Sequence, residues 1–283
     1  MIKEYYTLTK PGIIKGNAIT AIAGFLLASR GNINFVLFAQ AIVGISFVVA
    51  SGCVFNNYID RKIDRKMERT KKRSLVTGAI PLKNAILFGA ILGIAGVWIM
   101  FYTNFLTVLI ASLGFFFYVV MYSIFKRRSP FGTIVGSISG AVPPVVGYVA
   151  VTNHLDMGAL LLFSILVIWQ MPHFYAIAIF RLEDYKAAGI PVLPIIKGMK
   201  ETKKQMLIYI VAFIAVAALF TVFSYTGYFY LVIIILLGAY WFWFGIKSFK
   251  SVDDVRWARK MFGLSLLNLL GFCIMLSIDS FLH

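Results

Sequence analysis

Charged residues are scarce in this sequence. Asp, Glu, Lys and Arg together make up 13% of its 283 residues, whereas 60% are hydrophobic. Soluble domains typically carry about 25% charged residues. The composition therefore excludes an ordinary soluble enzyme and predicts a protein that crosses a membrane several times.

Cysteine is nearly absent as well. Cys53 and Cys273 both lie in apolar stretches, and neither belongs to a CxxC or Cys/His spacing. This pattern is typical of small core residues and predicts no disulfide, zinc site or redox pair. The N-terminal region also lacks an A-x-A-like cleavage site before its first apolar stretch. We therefore expect that stretch to be retained as a membrane span.

Long apolar stretches are abundant, and nine of them are long enough to cross a bilayer. They lie near residues 13–29, 35–56, 84–103, 105–125, 131–151, 157–180, 206–226, 228–247 and 262–281. The expected fold is an all-α membrane protein in which nine transmembrane helices form one integral-membrane domain over residues 1–283.

Basic residues are concentrated in alternate loops. They lie between the second and third stretches, the fourth and fifth, the sixth and seventh, and the eighth and ninth, whereas the other loops carry only Arg30. By the positive-inside rule, the N-terminus is expected to be cytoplasmic and the C-terminus outside, with a bacterial inner membrane as the simplest location. Membrane topology thus explains the net charge of +16, and no soluble domain remains to bind nucleic acid.

Acidic residues number only eleven, and none falls clearly at the middle of a predicted span. A proton or ion transporter more often buries a carboxylate near the bilayer midplane. Most of the acidic residues are expected on the cytoplasmic side, so the chemistry is predicted to occur at that membrane face.

Three polar residues stand one helical turn apart at the end of the second stretch. Asn56, Asp60 and Asp64 have the spacing i, i+4, i+8, which aligns them on one face of a helix. Carboxylate and amide oxygens suit Mg²⁺, and therefore a diphosphate carried on it. The simpler alternative is a juxtamembrane segment whose acids pair with nearby Lys and Arg. Carboxylates one turn apart repel each other, however, unless a cation lies between them. We call Asn56, Asp60 and Asp64 the ladder, and Arg69 and Arg73 follow it in the sequence.

A second polar group ends the fourth stretch. Tyr122 and Lys126 are one turn apart, which predicts that a phenol and an ammonium group point at the same site, with Arg127 beside them. The alternative is that Lys126, Arg127 and Arg128 only anchor the span at the membrane surface. In the fifth stretch, Pro143-Pro144 is expected to break the helical hydrogen-bond ladder.

A third group surrounds His173 in the sixth stretch. Trp169, Gln170 and His173 lie in a segment expected to be embedded in the bilayer, and neutral imidazole can ligate haem iron or act as a base. The structural alternative is a histidine whose hydrogen bonds are satisfied in a core. The stretch is followed by Glu183 and Asp184, which are candidates for a second acidic patch facing the first, and then by Tyr185 and Lys186.

Together these strings resemble the UbiA-type intramembrane prenyltransferases, and most closely their haem-modifying branch. The resemblance covers nearly the whole chain. It is carried by Asn56-x-x-x-Asp60-x-x-x-Asp64, Tyr122-x-x-x-Lys126-Arg127, Trp169-Gln170-Met171-Pro172-His173-Phe174 and Asp184-Tyr185-x-x-Ala188-Gly189-Ile190-Pro191. The sequence departs from the common second acidic motif, DxxxD, because Phe180 stands where the first Asp is expected.

The resemblance implies a helix bundle around a central cavity and transfer of a farnesyl group from farnesyl diphosphate to a vinyl group of haem B. The active site would face the cytoplasm, and the product implies a haem–copper terminal oxidase as a partner. Mg²⁺ would be the cofactor, held by Asn56, Asp60, Asp64 and Asp184. His173 would orient the haem, and Lys126 would act with the carboxylates. The substrates would also contact Arg69, Arg73, Tyr122, Arg127, Trp169, Gln170, Glu183, Tyr185 and Lys186.

Three other functions stay open on the sequence. Within the same fold, the acceptor could be an aromatic acid or quinone precursor, although the string around His173 argues against it. From other classes, the chain could be a secondary transporter, or a haem-handling assembly protein without catalytic activity.

Overall fold

The computed structural model describes residues 2–247, 249 and 253–282, which form helices and turns without a β-strand. Nine helices in this part of the chain are long and apolar enough to cross a membrane. We label them α1 to α9, in chain order: Pro11–Ser29, Phe35–Asp64, Leu82–Phe101, Phe105–Arg128, Gly132–Thr152, Met157–Phe180, Gly198–Val222, Tyr228–Lys247 and Asp254–Asp279.

The nine predicted spans are confirmed, but three of their boundaries were wrong. Helix α2 continues to Asp64 rather than ending near residue 56, α7 begins at Gly198 and α9 begins at Asp254. Hydropathy ends a span at the first polar residues, whereas the backbone hydrogen bonds of a helix continue through them. The central cavity, the single domain over 1–283 and the cytoplasmic N-terminus stay predictions. Lys250, predicted for the last basic loop, lies outside the described residues.

Four short helices lie outside the membrane spans. They precede α1, join α2 to α3 and join α6 to α7, at Ile2–Leu8, Ser74–Thr77, Leu182–Ala188 and Leu193–Ile196. Because successive spans run in opposite directions, all four lie at the same end of the bundle. This end carries the basic loops and the charged end of α2.

Helices α1 and α5 approach each other closely through two glycines. A Cβ atom on Gly24 would lie 2.0 Å from the carbonyl oxygen of Pro144, and one on Gly147 would lie 2.0 Å from that of Ala21. Small residues at such crossings let helix backbones pack directly in a membrane. Helix α5 also packs against α4 and α6, so this contact holds the two sides of the bundle together.

Among the described residues, two spans depart from regular α-helix, α4 near its polar end and α5 at its middle. Residues Phe117–Met121 of α4 form a π-helical turn immediately before Tyr122. Helix α5 is interrupted at Ala141, just before the predicted break at Pro143 and Pro144. Such irregularities change the direction in which the following side chains project, and π-turns are frequent at functional sites.

Candidate active site

The ladder at the end of α2 lies on one buried helix face, as its spacing predicted. Asn56, Asp60 and Asp64 are all buried, with 7% of Asp60 and 2% of Asp64 exposed. The side-chain amide of Asn56 donates from Nδ2 to Asp60 Oδ2 at 2.9 Å. Buried carboxylates are costly unless they are paired, so the surroundings of these two acids define the site.

Two cations from α4 approach Asp60. The Lys126 ammonium forms an ion pair with Asp60 Oδ2, and Arg127 NH2 lies 3.4 Å from Oδ1 while donating to the backbone oxygen of Ile59 at 2.9 Å. Lys126 Nζ is also 4.9 Å from the ring centroid of Tyr122. Tyr122 and Lys126 therefore lie side by side, as their spacing predicted, and their roles at a common site stay predictions.

Lys10 also belongs to the candidate site, which no motif in the sequence predicted. Its ammonium donates to Asn56 Oδ1 at 2.6 Å, and its backbone is left-handed, with φ 54°. Two residues before Lys10, the carbonyl oxygen of Leu8 accepts a hydrogen bond from Asn57 Nδ2 at 2.8 Å, which holds this segment against α2. Burial lowers the pKa of Lys10 to about 8. The available sequence signal was a lysine directly before Pro11, at the first turn of the first span.

Asp64 pairs with a cation from the loop that follows it. Arg73 NH1 lies 2.7 Å from Asp64 Oδ2, and Thr70 donates from its hydroxyl to the backbone oxygen of Asp64 at 2.9 Å. The loop thus folds back over the end of α2. Arg69 on this loop is exposed. Burial raises the pKa of the Tyr185 phenol, and the guanidinium of Arg69 opposes that rise.

Asp184 reaches this loop from the other half of the chain. Its Oδ1 accepts a hydrogen bond from the backbone N–H of Glu68 at 2.9 Å. Glu183 does not share this position, since its side chain is 83% exposed and pairs with Lys186 at 2.9 Å. The predicted second acidic patch is therefore reduced to Asp184. Among the described residues, no group of three or more His, Cys, Asp and Glu side chains is gathered closely enough to hold a metal. The predicted metal ligands stay a prediction.

The ladder is surrounded by more positive than negative charge. The two carboxylates and the Asn56 amide contact four cationic groups, which come from three parts of the chain: Lys10, Arg73, Lys126 and Arg127. A low-dielectric site with surplus cations binds anions that carry several charges. The arrangement therefore suits a diphosphate, with or without a divalent cation.

His173 lies in an aromatic pocket between α6 and α9. Its ring stacks on Trp169 with centroids 4.7 Å apart, and its centroid is 4.8 Å from that of Phe262. Its Nδ1 is 2.8 Å from the Ser265 hydroxyl, and Trp169 donates from Nε1 to the backbone oxygen of Ser265 at 2.8 Å. The sequence carried no signal for Ser265 or Phe262, because both sit in an apolar span without a motif.

Gln170 is buried between α6 and α5 rather than open to a ligand. Its Nε2 donates to the backbone oxygens of Ser137 at 3.0 Å and Leu166 at 2.9 Å. A Cβ atom on Gly140 would lie 2.1 Å from its Oε1, so the glycine leaves space for the amide. These contacts indicate that Gln170 positions α5 against α6, and its predicted substrate contact stays a prediction.

Relatives with curated descriptions share half of the sequence or more. The chain is 54% identical over 267 residues to the protoheme IX farnesyltransferase of Protochlamydia amoebophila, an alignment that covers 94% of each chain. It is 50% identical over 285 residues to the protoheme IX farnesyltransferase of Yersinia pseudotuberculosis, covering 100% of this chain and 97% of the relative.

Solved structures share the fold at lower identity. A structure of digeranylgeranylglyceryl phosphate synthase matches with a TM-score of 0.82 at 22% identity, covering 100% of this chain and 99% of the other. A UbiA homologue from Archaeoglobus fulgidus bound to GPP and Mg²⁺ matches with a TM-score of 0.68 at 14% identity, covering 96% and 99%. Residues 17–269 also match the UbiA prenyltransferase family. The chain belongs to the UbiA prenyltransferase family.

Proposed function

We propose that this protein transfers the farnesyl group of farnesyl diphosphate to a vinyl group of haem B, with addition of water, and releases diphosphate and haem O. Its membership in the prenyltransferase family supports the reaction type, and the names of relatives at 50–54% identity support the acceptor. The observation that carries the proposal is the buried carboxylate of Asp60 beside Lys126, Arg127 and Asn56.

The diphosphate would bind at the ladder. The ammonium groups of Lys10 and Lys126 lie against the ladder oxygens of Asn56 and Asp60, and both can turn towards phosphate oxygens. Arg127 and Arg73 add planar donors from the other sides of the ladder, with Arg69 at the loop surface. Cations aimed at the leaving group stabilise the negative charge that develops on it, a contribution of several kcal/mol in a site with little water.

The donor set fits Mg²⁺. Asn56, Asp60 and Asp64 offer only carboxylate and amide oxygens, which are the ligands that Mg²⁺ takes. Two of these oxygens already contact ammonium groups, so they face positive charge. Asp184 uses Oδ1 for the Glu68 N–H, and its second oxygen remains available to complete the set. When bound, Mg²⁺ would neutralise part of the diphosphate charge and make it a better leaving group.

The proposed reaction breaks the allylic C–O bond, the π bond of the vinyl group and one O–H bond of water, and it forms one C–C bond and one C–O bond, while the proton passes to solvent or diphosphate. The allylic C–O bond of farnesyl diphosphate breaks, and its electron pair leaves with the diphosphate. The vinyl group of the haem attacks the allylic carbon, and the cation left next to the porphyrin ring is captured by water, which loses a proton. The ladder and its cations act on the first step. The apolar helices of the bundle exclude competing water from the allylic cation.

The haem would bind beside His173. Its aromatic pocket, made with Trp169 and Phe262, offers flat apolar contacts that suit a porphyrin. For the remaining predicted contacts, Tyr122 and Tyr185 would lie near the diphosphate end. Glu183 and Lys186 pair with each other on the exposed surface, so we do not include them in the proposed site.

The protein is multi-pass, and we propose the bacterial inner membrane as its location. The basic loops and the ladder lie at the same end of the bundle, which the positive-inside rule assigns to the cytoplasm. The product suits a haem–copper terminal oxidase as the receiving partner. We further propose that residues 1–283 act as one domain, since the site draws on Lys10, the end of α2, α4 and α6.

A competition between acceptors tests this function. Purified protein is given farnesyl diphosphate and Mg²⁺ with haem B, 4-hydroxybenzoate or no acceptor, and diphosphate release and prenylated products are measured. We expect product only with haem B. Prenylation of 4-hydroxybenzoate alone would assign the acceptor to the quinone class, and haem binding without diphosphate release would identify a haem carrier.

A further inference from the structure

The ring of His173 is enclosed on three sides. Trp169 stacks on it at 4.7 Å with an interplanar angle of 26°, and Phe262 lies at 4.8 Å with an angle of 33°. The Nδ1 edge is directed at Ser265. His173 is nevertheless partly exposed, and Phe174 lies edge-on to it with centroids 5.3 Å apart. Because Trp169, Phe262 and Ser265 contact the ring faces and the Nδ1 edge, we take the edge that carries Nε2 as the part of the ring left for a ligand.

The Ser265 hydroxyl determines where the imidazole proton lies. Its oxygen is 2.6 Å from the backbone oxygen of Phe262, which can only accept a hydrogen bond. A separation this short between two oxygens requires the serine proton between them. Since a hydroxyl has one proton, Ser265 Oγ must accept at its other contact, the 2.8 Å contact with His173 Nδ1.

His173 Nδ1 therefore carries the hydrogen, and Nε2 carries a lone pair. No ion pair between His173 and a carboxylate occurs in the described part of the chain, and the ring is packed between aromatic groups, so the imidazole is neutral. A neutral ring with hydrogen on Nδ1 cannot donate from Nε2. This excludes a hydrogen bond donated from Nε2 to a haem propionate and leaves metal ligation or acceptance of a hydrogen bond.

From this geometry we infer that Ser265 is a positioning residue that fixes the tautomer of His173, so that Nε2 ligates the iron of the haem substrate. The inference rests on the proposed function for the identity of the ligand. It uses the common arrangement in which the second ring nitrogen of a metal-bound histidine donates to a neighbouring oxygen. Axial ligation would hold the porphyrin on one side of α6 while the farnesyl group approaches a vinyl carbon.

The ligand is tested by adding ferric haem B to the purified full-length protein without farnesyl diphosphate, so that no turnover occurs. We expect the absorption and electron paramagnetic resonance spectra of haem with an axial imidazole. His173→Ala should lose this signature, and added imidazole should restore it. His154→Ala is the matched control, because His154 is an exposed histidine in the α5–α6 loop, and it should bind haem as the unmodified protein does.

The positioning role is tested with variants of Ser265. Ser265→Ala removes only the hydroxyl and leaves the backbone oxygen to which Trp169 donates. We expect it to weaken haem affinity about 10–100-fold, whereas Ser265→Thr should retain most of it. Ser277→Ala is the control, since Ser277 also donates to a backbone oxygen on α9, that of Cys273, at 2.7 Å. It should leave haem affinity unchanged.

The tautomer itself is measurable in the ligand-free protein by ¹⁵N NMR of labelled histidine. We expect hydrogen on Nδ1 of His173, and its loss as the dominant form in Ser265→Ala. Hydrogen on Nε2 in the unmodified protein would overturn the inference, as would an imidazole signature that survives in His173→Ala. If haem O is made and the imidazole signature is absent, the proposed function stands and this inference fails.

Discussion

Asp184 accepts a hydrogen bond from the backbone N–H of Glu68 at 2.9 Å, across 116 residues of sequence. This contact joins the loop after α6 to the loop after α2, which carries Arg69 and Arg73. The two loops therefore meet over the buried ladder at Asp60 and Asp64. Asp184 has a structural task in this position, in addition to the metal contact proposed for its second oxygen.

Two variants of Asp184 separate these tasks. Asp184→Asn keeps an oxygen that accepts from Glu68 and removes the charge, so the loops should stay joined while the Mg²⁺ concentration for half-maximal activity rises about tenfold. Asp184→Ala should also loosen the loop and raise the rate of trypsin cleavage several-fold at its exposed basic residues, which include Arg65, Lys66, Lys71 and Lys72. Activity titrations and timed proteolysis measure the two effects.

Glu183→Gln is the control for both measurements. Its carboxylate lies next to Asp184 in sequence but pairs with Lys186 on the exposed surface. Unchanged activity and cleavage are expected. If Asp184→Asn were cleaved as fast as Asp184→Ala, the hydrogen bond to Glu68 would not be what joins the loops.

Asp60 is the residue on which the diphosphate site depends most. Asp60→Asn removes the charge that Lys126 and Arg127 face, and we expect kcat to fall by about 100-fold or more. Asp254→Asn is a matched control. Asp254 lies at the start of α9, apart from the ladder, and its Oδ1 is 2.5 Å from Nζ of the buried Lys203. This control should lower thermal stability and leave kcat per folded molecule unchanged. Equal losses of kcat in both variants would contradict the assignment.

The sequence predicted the parts of this site that follow from helical periodicity. The alignment of Asn56, Asp60 and Asp64 on one face, and of Tyr122 with Lys126, needs only a regular helix. The nine spans were likewise predictable from apolar length. The C-terminal end of α2 could not be predicted in this way, because hydropathy falls at Asn56 while the helix continues for two more turns.

Helical periodicity could not predict contacts between segments that are distant in the sequence. Lys10 reaches Asn56 over 46 residues, and His173 meets Ser265 over 92 residues. No local sequence pattern predicts either contact, since both depend on how the helices α1, α6 and α9 pack in the bundle. The different positions of Glu183 and Asp184 have a related explanation. Two adjacent helical residues differ by about 100° in direction, so Asp184 faces the loop while Glu183 faces solvent.

Lys10 predicts a pH dependence in substrate binding. Its pKa of about 8, compared with 10.5 for an ordinary lysine, means that it loses its positive charge as the pH rises through 8. We expect the KM for farnesyl diphosphate to increase above pH 8. Lys10→Arg should remove that increase, because arginine stays protonated, and Lys10→Met should show a high KM at every pH.

The contribution of Lys10 to protein stability should increase as the pH rises, whereas its contribution to substrate binding should decrease. Between pH 8 and 10.5 the unfolded chain binds more protons at this residue than the folded chain, so its contribution to the free energy of unfolding rises with pH. Parallel unfolding and KM measurements on the protein and on Lys10→Arg test this sign. A KM that stays constant between pH 7 and 9.5 would remove Lys10 from the diphosphate site.

The glycine contact between α1 and α5 should be essential for stability. Gly24→Ala or Gly147→Ala places a methyl group 2.0 Å from a backbone oxygen, and the helices must separate to admit it. We expect a loss of about 1–3 kcal/mol, measured by thermal unfolding in detergent. Gly263→Ala on α9 is the control, since a Cβ atom there meets nothing within 4 Å. It should leave stability the same or slightly higher.

The mass of the haem product tests the central claim most directly. Purified protein is incubated with haem B, farnesyl diphosphate and Mg²⁺, and the extracted haem is analysed by mass spectrometry beside a parallel reaction with Asp60→Asn. We predict a product whose mass equals haem B plus one farnesyl group and one hydroxyl, almost absent with the variant. Recovery of only unchanged haem B from folded protein would contradict the account.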